Sequence, residues 1–335
     1  MITIELDIFS GRPNPLWTLT NKEENELFSR VMADKDMSAP PRKVGHLGYR
    51  GFGIKVGGER ANRWHAAGIP PSFFISAGHE RGGETETFLL NTANAGQTAA
   101  DEVLKVAQEY IDAANYAWTQ RWIRAEYAEN GPPLTPANRH EPLIDGTIIV
   151  PDPDGRGTPS SEEGQINDKA ASDSMSALAC GAFSYTSDTN FTYWNSDPYV
   201  MQNNNCYNFA ANYRSDTFAQ PGRKANVEWY DLACGNSPGQ IGYAASYDGF
   251  NLNCWTSTQY YAALVIWPYT SDPLSGDFHW YRKCANGHWC HKPGKTSARN
   301  YDSSGYWITD PYTCDRGPYT IFCSYRYFPT NYTVR

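Results

Sequence analysis

Long apolar runs are missing from this chain. No stretch of about 18 consecutive apolar residues occurs, so no helix is expected to span a bilayer. Basic residues are scarce as well: 28 Lys and Arg stand against 36 Asp and Glu, and the net charge is −8. That balance excludes nucleic acid as the main partner, because neutralising phosphates needs a basic face. The opening Met1-Ile2-Thr3-Ile4-Glu5-Leu6-Asp7 lacks the basic and then apolar regions of a secretory leader. The chain is therefore expected to be exported either already processed or by a route that needs no leader. Cysteine is absent from the first 179 residues, and all eight lie after them, at 180, 206, 234, 254, 284, 290, 314 and 323. What is present is apolar material: 40% of the 335 residues are hydrophobic and 14% aromatic, enough for real cores and against global disorder.

The cysteine divide, followed by most of the Tyr and Trp, points to two folding units. Between them runs a Pro- and Gly-rich stretch with Pro132, Pro133, Pro136, Pro142, Pro151, Pro153 and Pro159. The expected organisation is an α+β module over residues 1–128, serving docking, delivery or inhibition, an extended linker over 129–178 with one strand at Thr147 to Val150, and a second α+β domain over 179–335 with disulfides. An exposed linker of this kind is where proteolysis would fall.

In the first module Ile2, Ile4, Leu6 and Ile8 alternate with polar residues, the pattern of a strand with one buried face. Ser10-Gly11-Arg12-Pro13 ends it, with Asp7 and Arg12 as a charge pair beside the turn. Thr20 and Glu23 have capping-box spacing and open a helix in which Leu27, Val31 and Met32 share a face. Further strands are expected at Tyr49 to Val56, Phe73 to Ser76 and Thr87 to Leu90, and a helix from Ala99 to about Ala125. The glycines at 48, 51 and 53 alternate with aromatics and lack a following Lys-Ser/Thr, so they read as strand rather than phosphate loop. His46, His65, His79 and His140 have no matching partners and read as surface or loop residues.

Chemistry concentrates in the second half. Asn203-Asn204-Asn205 runs into the helix-compatible Cys206-Tyr207-Asn208-Phe209, placing Cys206 at a helix start, where dipole and amides would lower the thiol pKa. Downstream, the strand Tyr260 to Trp267 is followed by Asp277-Phe278-His279-Trp280, the turn signal Asn286-Gly287, and His288-Trp289-Cys290-His291. In that hairpin His279 and His291 lie on neighbouring strands and one face. A cysteine at a helix start with two strand histidines supplies nucleophile, base and orienter.

On these residues the chain, over about 195–295, resembles the NlpC-type branch of the papain-like cysteine peptidases and amidases, which includes the CHAP amidases. The resemblance implies a papain-like domain with an antiparallel sheet, Cys206 as nucleophile, His279 as base and His291 as the residue orienting it, with Asp302 or Asp310 as alternatives for the third place. It implies hydrolysis of a peptide or peptidoglycan-stem amide with no cofactor and no metal. A leaderless export route would make the protein an effector or toxin cargo, its first module meeting a cell-surface or delivery partner.

Other readings of the same residues stay open. All eight cysteines could pair, Cys284 with Cys290 across the hairpin and Cys314 with Cys323 locally, leaving a non-catalytic extracellular binding or structural protein. Cys284, His288, Cys290 and His291 could hold zinc, though the spacing is strained for tetrahedral closure. The Tyr and Trp surplus reads as core material or as a saccharide-stacking platform.

Overall fold

The computed structural model describes residues 1–38, 47–77, 79, 83–93, 99–114, 191–254, 258–268, 275–285 and 287–335. The expected linker and its strand at Thr147 to Val150 lie outside these residues, as do His46 and His140. The chain divides into two compact units. Among the described residues the first takes 1–8, 14–38 and 49–114, and the second takes 9–13, 47–48 and 191–335. The class is α+β with two antiparallel sheets.

The first unit is a four-stranded sheet in the order β2-β1-β3-β4, with β1 at Ile2–Asp7, β2 at Leu16–Thr18, β3 at Gly51–Val56 and β4 at Ser72–Ser76. Alternation decides its faces: Ile2, Ile4 and Leu6 are fully buried and pair with Val56, Ile54 and Phe52 of β3. Helix α1 (Asn21–Ala33) is started by the capping box, in which Thr20 accepts the Glu23 amide and Glu23 reaches back to the Thr20 amide. Its inner face carries Leu27 and Val31 together with Glu24, while Met32 is 39% exposed. Helices α2 (Ala61–Ala66), α3 (Gly83–Thr92) and α4 (101–114) complete the unit. Trp64, Leu89, Val103, Ala107 and Ile111 are at most 1% exposed, each large side chain among them stabilising by about 1.5–3 kcal/mol.

The expected strand from Thr87 to Leu90 is corrected here, because those residues belong to α3. Its buried residues include Thr85, Glu86, Leu89 and Leu90, a spacing of three to four that a short window around a β-branched threonine hides. Asp7 bridges Arg50 at 2.7 Å in the interior. Gly51 is needed as glycine, at φ +128° with the Ile75 carbonyl 2.1 Å from where a Cβ would stand.

The second unit is built on a sheet in the order β7-β6-β5-β8: β5 at Gln259–Trp267, β6 at Asp277–Lys283, β7 at Trp289–His291 and β8 at Ile321–Pro329. Strand β5 is apolar and buried nearly throughout, as a central strand should be. The β6–β7 hairpin forms around Gly287 at φ +88°, with the Cys284 amide on the His288 carbonyl. Short helices α5 (Thr192–Asn195), α6 (Pro198–Asn203) and α7 (Cys206–Ala210) are followed by α8 (Ile241–Asp248). The core joins Tyr207, Phe250, Trp280 and Phe328, with Phe250 4.6 Å from Trp280 and 4.4 Å from Phe328 between ring centres.

Among the described residues, Cys284 bonds Cys290 across the hairpin and Cys234 bonds Cys323 over a separation of 89 residues, both within the second unit. Cys254 is disulfide-bonded too. Cys206 and Cys314 are free thiols, so the Cys314–Cys323 alternative gives way to a partner far off in sequence. No helix among the described residues is long and apolar enough to cross a membrane.

Candidate functional site

Helix α7 starts at Cys206 because Asn205 caps it. The Asn205 side chain accepts the amides of Tyr207 and Asn208, and Asn208 returns the bond to the Asn205 amide. The sulfur lies against the edge of β6, on the backbone flanking His279: Sγ reaches the Phe278 carbonyl at 3.9 Å and takes a backbone bond from Trp280. His279 Nε2 and His291 Nδ1 are 2.8 Å apart, and His291 Nε2 is 2.9 Å from the Tyr301 carbonyl. Arg299 Nε–H donates to the same Nε2 at 3.1 Å, so this nitrogen meets both an acceptor and a donor, and the direction of the bond between the two rings follows the tautomer. The structure thus brings the two imidazoles together and sets the sulfur beside their strand. Asp302 instead binds the amides of Ser304, Tyr306 and Asp315, and Asp310 takes the Tyr325 hydroxyl and the Tyr312 amide.

The electrostatics run opposite to the expectation of a thiolate. Cys206, His279 and His291 have no exposed surface. Burial pushes the Cys206 thiol well above its ordinary value and the neighbouring Asp277 carboxylate adds to this, outweighing the backbone bonds and Lys292 that favour ionisation. His291 is held well below the usual imidazole range by burial, by Arg299, whose Nε stands 3.1 Å from Nε2, and by His279. At neutral pH the sulfur is a protonated thiol and His291 is uncharged. The dipole of a five-residue helix is too small to offset complete desolvation.

The segment Phe9–Pro13 seals this place. Asp277 at the head of β6 accepts the amides of Ser10, Gly11 and Arg12 at 2.7, 3.1 and 2.9 Å and the Tyr319 hydroxyl at 2.6 Å. Gly11 packs on the same Phe278 carbonyl that the sulfur faces, and a Cβ there would stand 2.4 Å from it. Its own carbonyl accepts from Asn205 and Gln220. Below, the Lys292 ammonium is tied to the carbonyls of Met201, Asn204 and Gly294. Neither the Asp277 clasp nor Lys292 carried a sequence signal, because each joins groups without a common motif.

Cys284 and Cys290 are bonded to each other, which removes both sulfurs from the zinc reading. Among the described residues no group of three His, Cys, Asp or Glu side chains is placed to hold a metal ion.

The cysteine and the two histidines thus form a buried, hydrogen-bonded cluster in a unit that disulfides brace. The chain belongs to the family of insoluble matrix shell protein 1 of Ruditapes philippinarum, to which it is 44% identical over 131 residues, 38% of this chain and 81% of that protein. No family model and no solved structure matches the chain. This kinship overturns the expected cysteine-dependent amide hydrolase, and with it the hydrolase, cysteine peptidase and toxin descriptions. The relative is named for a shell matrix, and the non-catalytic alternative fits it better.

Proposed function

We propose that the protein is a secreted, non-catalytic component of an insoluble extracellular matrix of the kind laid down in shell. The observation that carries this reading is the kinship with the shell matrix protein. The disulfides, which persist in oxidising compartments, support it, as does a cysteine that is protonated and shut away from any substrate. On this reading the second unit keeps a papain-like scaffold of the NlpC type in which Cys206, His279 and His291 serve packing and hydrogen bonding. The segments 1–128, 129–178 and 179–335 are then a module, a tether and a braced module of one matrix protein.

The test is retention. Calcium carbonate grown in the presence of the purified, oxidised protein, then washed and dissolved with a chelator, should leave the protein in the insoluble residue. The Cys206→Ala variant should be retained equally. Recovery of the wild-type protein in the soluble fraction would refute the matrix role, and loss of retention in Cys206→Ala would refute a passive thiol.

A further inference from the structure

Away from the sealed cysteine, the surface of the second unit has an open hollow of about 670 Å³ lined by Asn236, Tyr243, Ser246, Asn251, Leu252, Asn253 and Arg326. That volume falls within the range of small-molecule sites, about 300–1,000 Å³. The lining has a consistent chemistry. Three carboxamides and a hydroxyl, each able to donate and accept, surround a tyrosine ring, and no carboxylate takes part. Tyr243 is backed by Tyr247 one turn along α8, with ring centres 4.9 Å apart and hydroxyls 2.9 Å apart. Arg326 from β8 gives four N–H bonds to protein oxygens, on Gly242, Phe250, Asn236 and Ser324, and has one of its five donors left.

The walls are fixed before anything binds. Cys234–Cys323 ties the loop carrying Asn236 to the strand carrying Arg326. Asn251 exchanges backbone bonds with Tyr327 at 3.0 and 2.8 Å, pinning the loop that carries Leu252 and Asn253. Gly249, at φ +119°, turns the chain from α8 into that loop. Preformed walls reduce the ordering cost of binding.

We propose that this hollow binds a neutral polysaccharide. The tyrosine face takes the C–H face of a sugar ring, and the carboxamides and Ser246 match its hydroxyls or N-acetyl groups. A polyanionic polymer is disfavoured by the net charge of −8. The proposal rests on the matrix reading for where the polymer is met, while the hollow and its chemistry stand apart from it.

The experiment is calorimetric titration of the whole oxidised protein with two probes, the tetramer of N-acetylglucosamine and cellotetraose. Binding of at least one is expected, weakened at least about tenfold in Tyr243→Ala and in Asn253→Ala. Tyr306→Ala, a change at another exposed tyrosine of the unit, should bind as the wild type does. Circular dichroism confirms that the variants fold, and if Tyr243→Ala fails to fold, the exposed Asn253→Ala decides. No binding of either probe at millimolar concentration overturns the proposal, as does undiminished binding in the hollow's variants. Mineral retention without saccharide binding removes this assignment alone, and saccharide binding without retention removes the matrix reading alone.

Discussion

Glu86 shows how one enclosed carboxyl makes stability depend on pH. It is 1% exposed in α3 and accepts the Tyr49 hydroxyl at 2.5 Å. Burial raises its pKa to about 7 against an ordinary 4.5, with the Tyr49 bond opposing. A folded-state value above the unfolded one favours the protonated form in the fold. The contribution is therefore complete below about pH 4.5 and is lost as pH rises through 7. At 1.36 kcal/mol per unit, the loss across that window is about 3 kcal/mol. Urea midpoints of the wild type should fall between about pH 5 and about pH 8, and those of Glu86→Gln should hardly move. An unshifted wild-type midpoint would contradict this account. The same physics explains why the thiol at 206 was misjudged from sequence. Asn205 and Asn208 announce a helix start, and that start is real. Burial, which decides the charge, comes from Gly11 and Phe278, distant in the chain and silent as a pattern.

At the scale of elements, the clasp at the head of β6 joins residues more than 260 positions apart. Asp277→Asn replaces one of two acceptor oxygens by a donor that faces the amides of residues 10–12. Bonds to a charged acceptor contribute about 1.5–3 kcal/mol each, so the variant should lose about 2–3 kcal/mol in chemical unfolding. Its Cys206 should also react with iodoacetamide faster than in the wild type, where the buried thiol is expected to react only on unfolding. Equal labelling rates would show that segment 9–13 is not what protects the sulfur. Local elements were legible where local chemistry decides them. Thr20 with Glu23 marks α1, the alternation from Ile2 marks β1, and the turn at Gly287 marks the hairpin and its Cys284–Cys290 bond. Helix α3 was not legible, because Glu86 and Thr87 look like solvent-facing strand residues until Tyr49 is brought to Glu86. The hollow was invisible for a like reason: Asn236, Tyr243, Asn253 and Arg326 share no spacing until β8 and α8 meet.

For the whole molecule, the two braces differ in reach. In the chain-entropy description a loop of 89 residues stabilises by about 4–5 kcal/mol and one of six by about 2 kcal/mol. The double variant Cys234→Ala/Cys323→Ala should accordingly lose about twice the unfolding free energy lost by Cys284→Ala/Cys290→Ala, read from denaturant midpoints with a common slope. Equal losses would place the stabilisation in local packing around the sulfurs. That connectivity could not be read from the even count of eight, since Cys323 bypasses Cys314, nine positions away, for Cys234.

The longer brace also has a mechanical meaning. Strands β5, β6 and β7 lie between Cys234 and Cys323, so the bond shunts tension around them. Pulled from its ends, the oxidised chain withholds about 300 Å of contour that only a reductant releases. A single protease nick inside the ring likewise sets no fragment adrift. Such a link lets a damaged chain stay attached to itself.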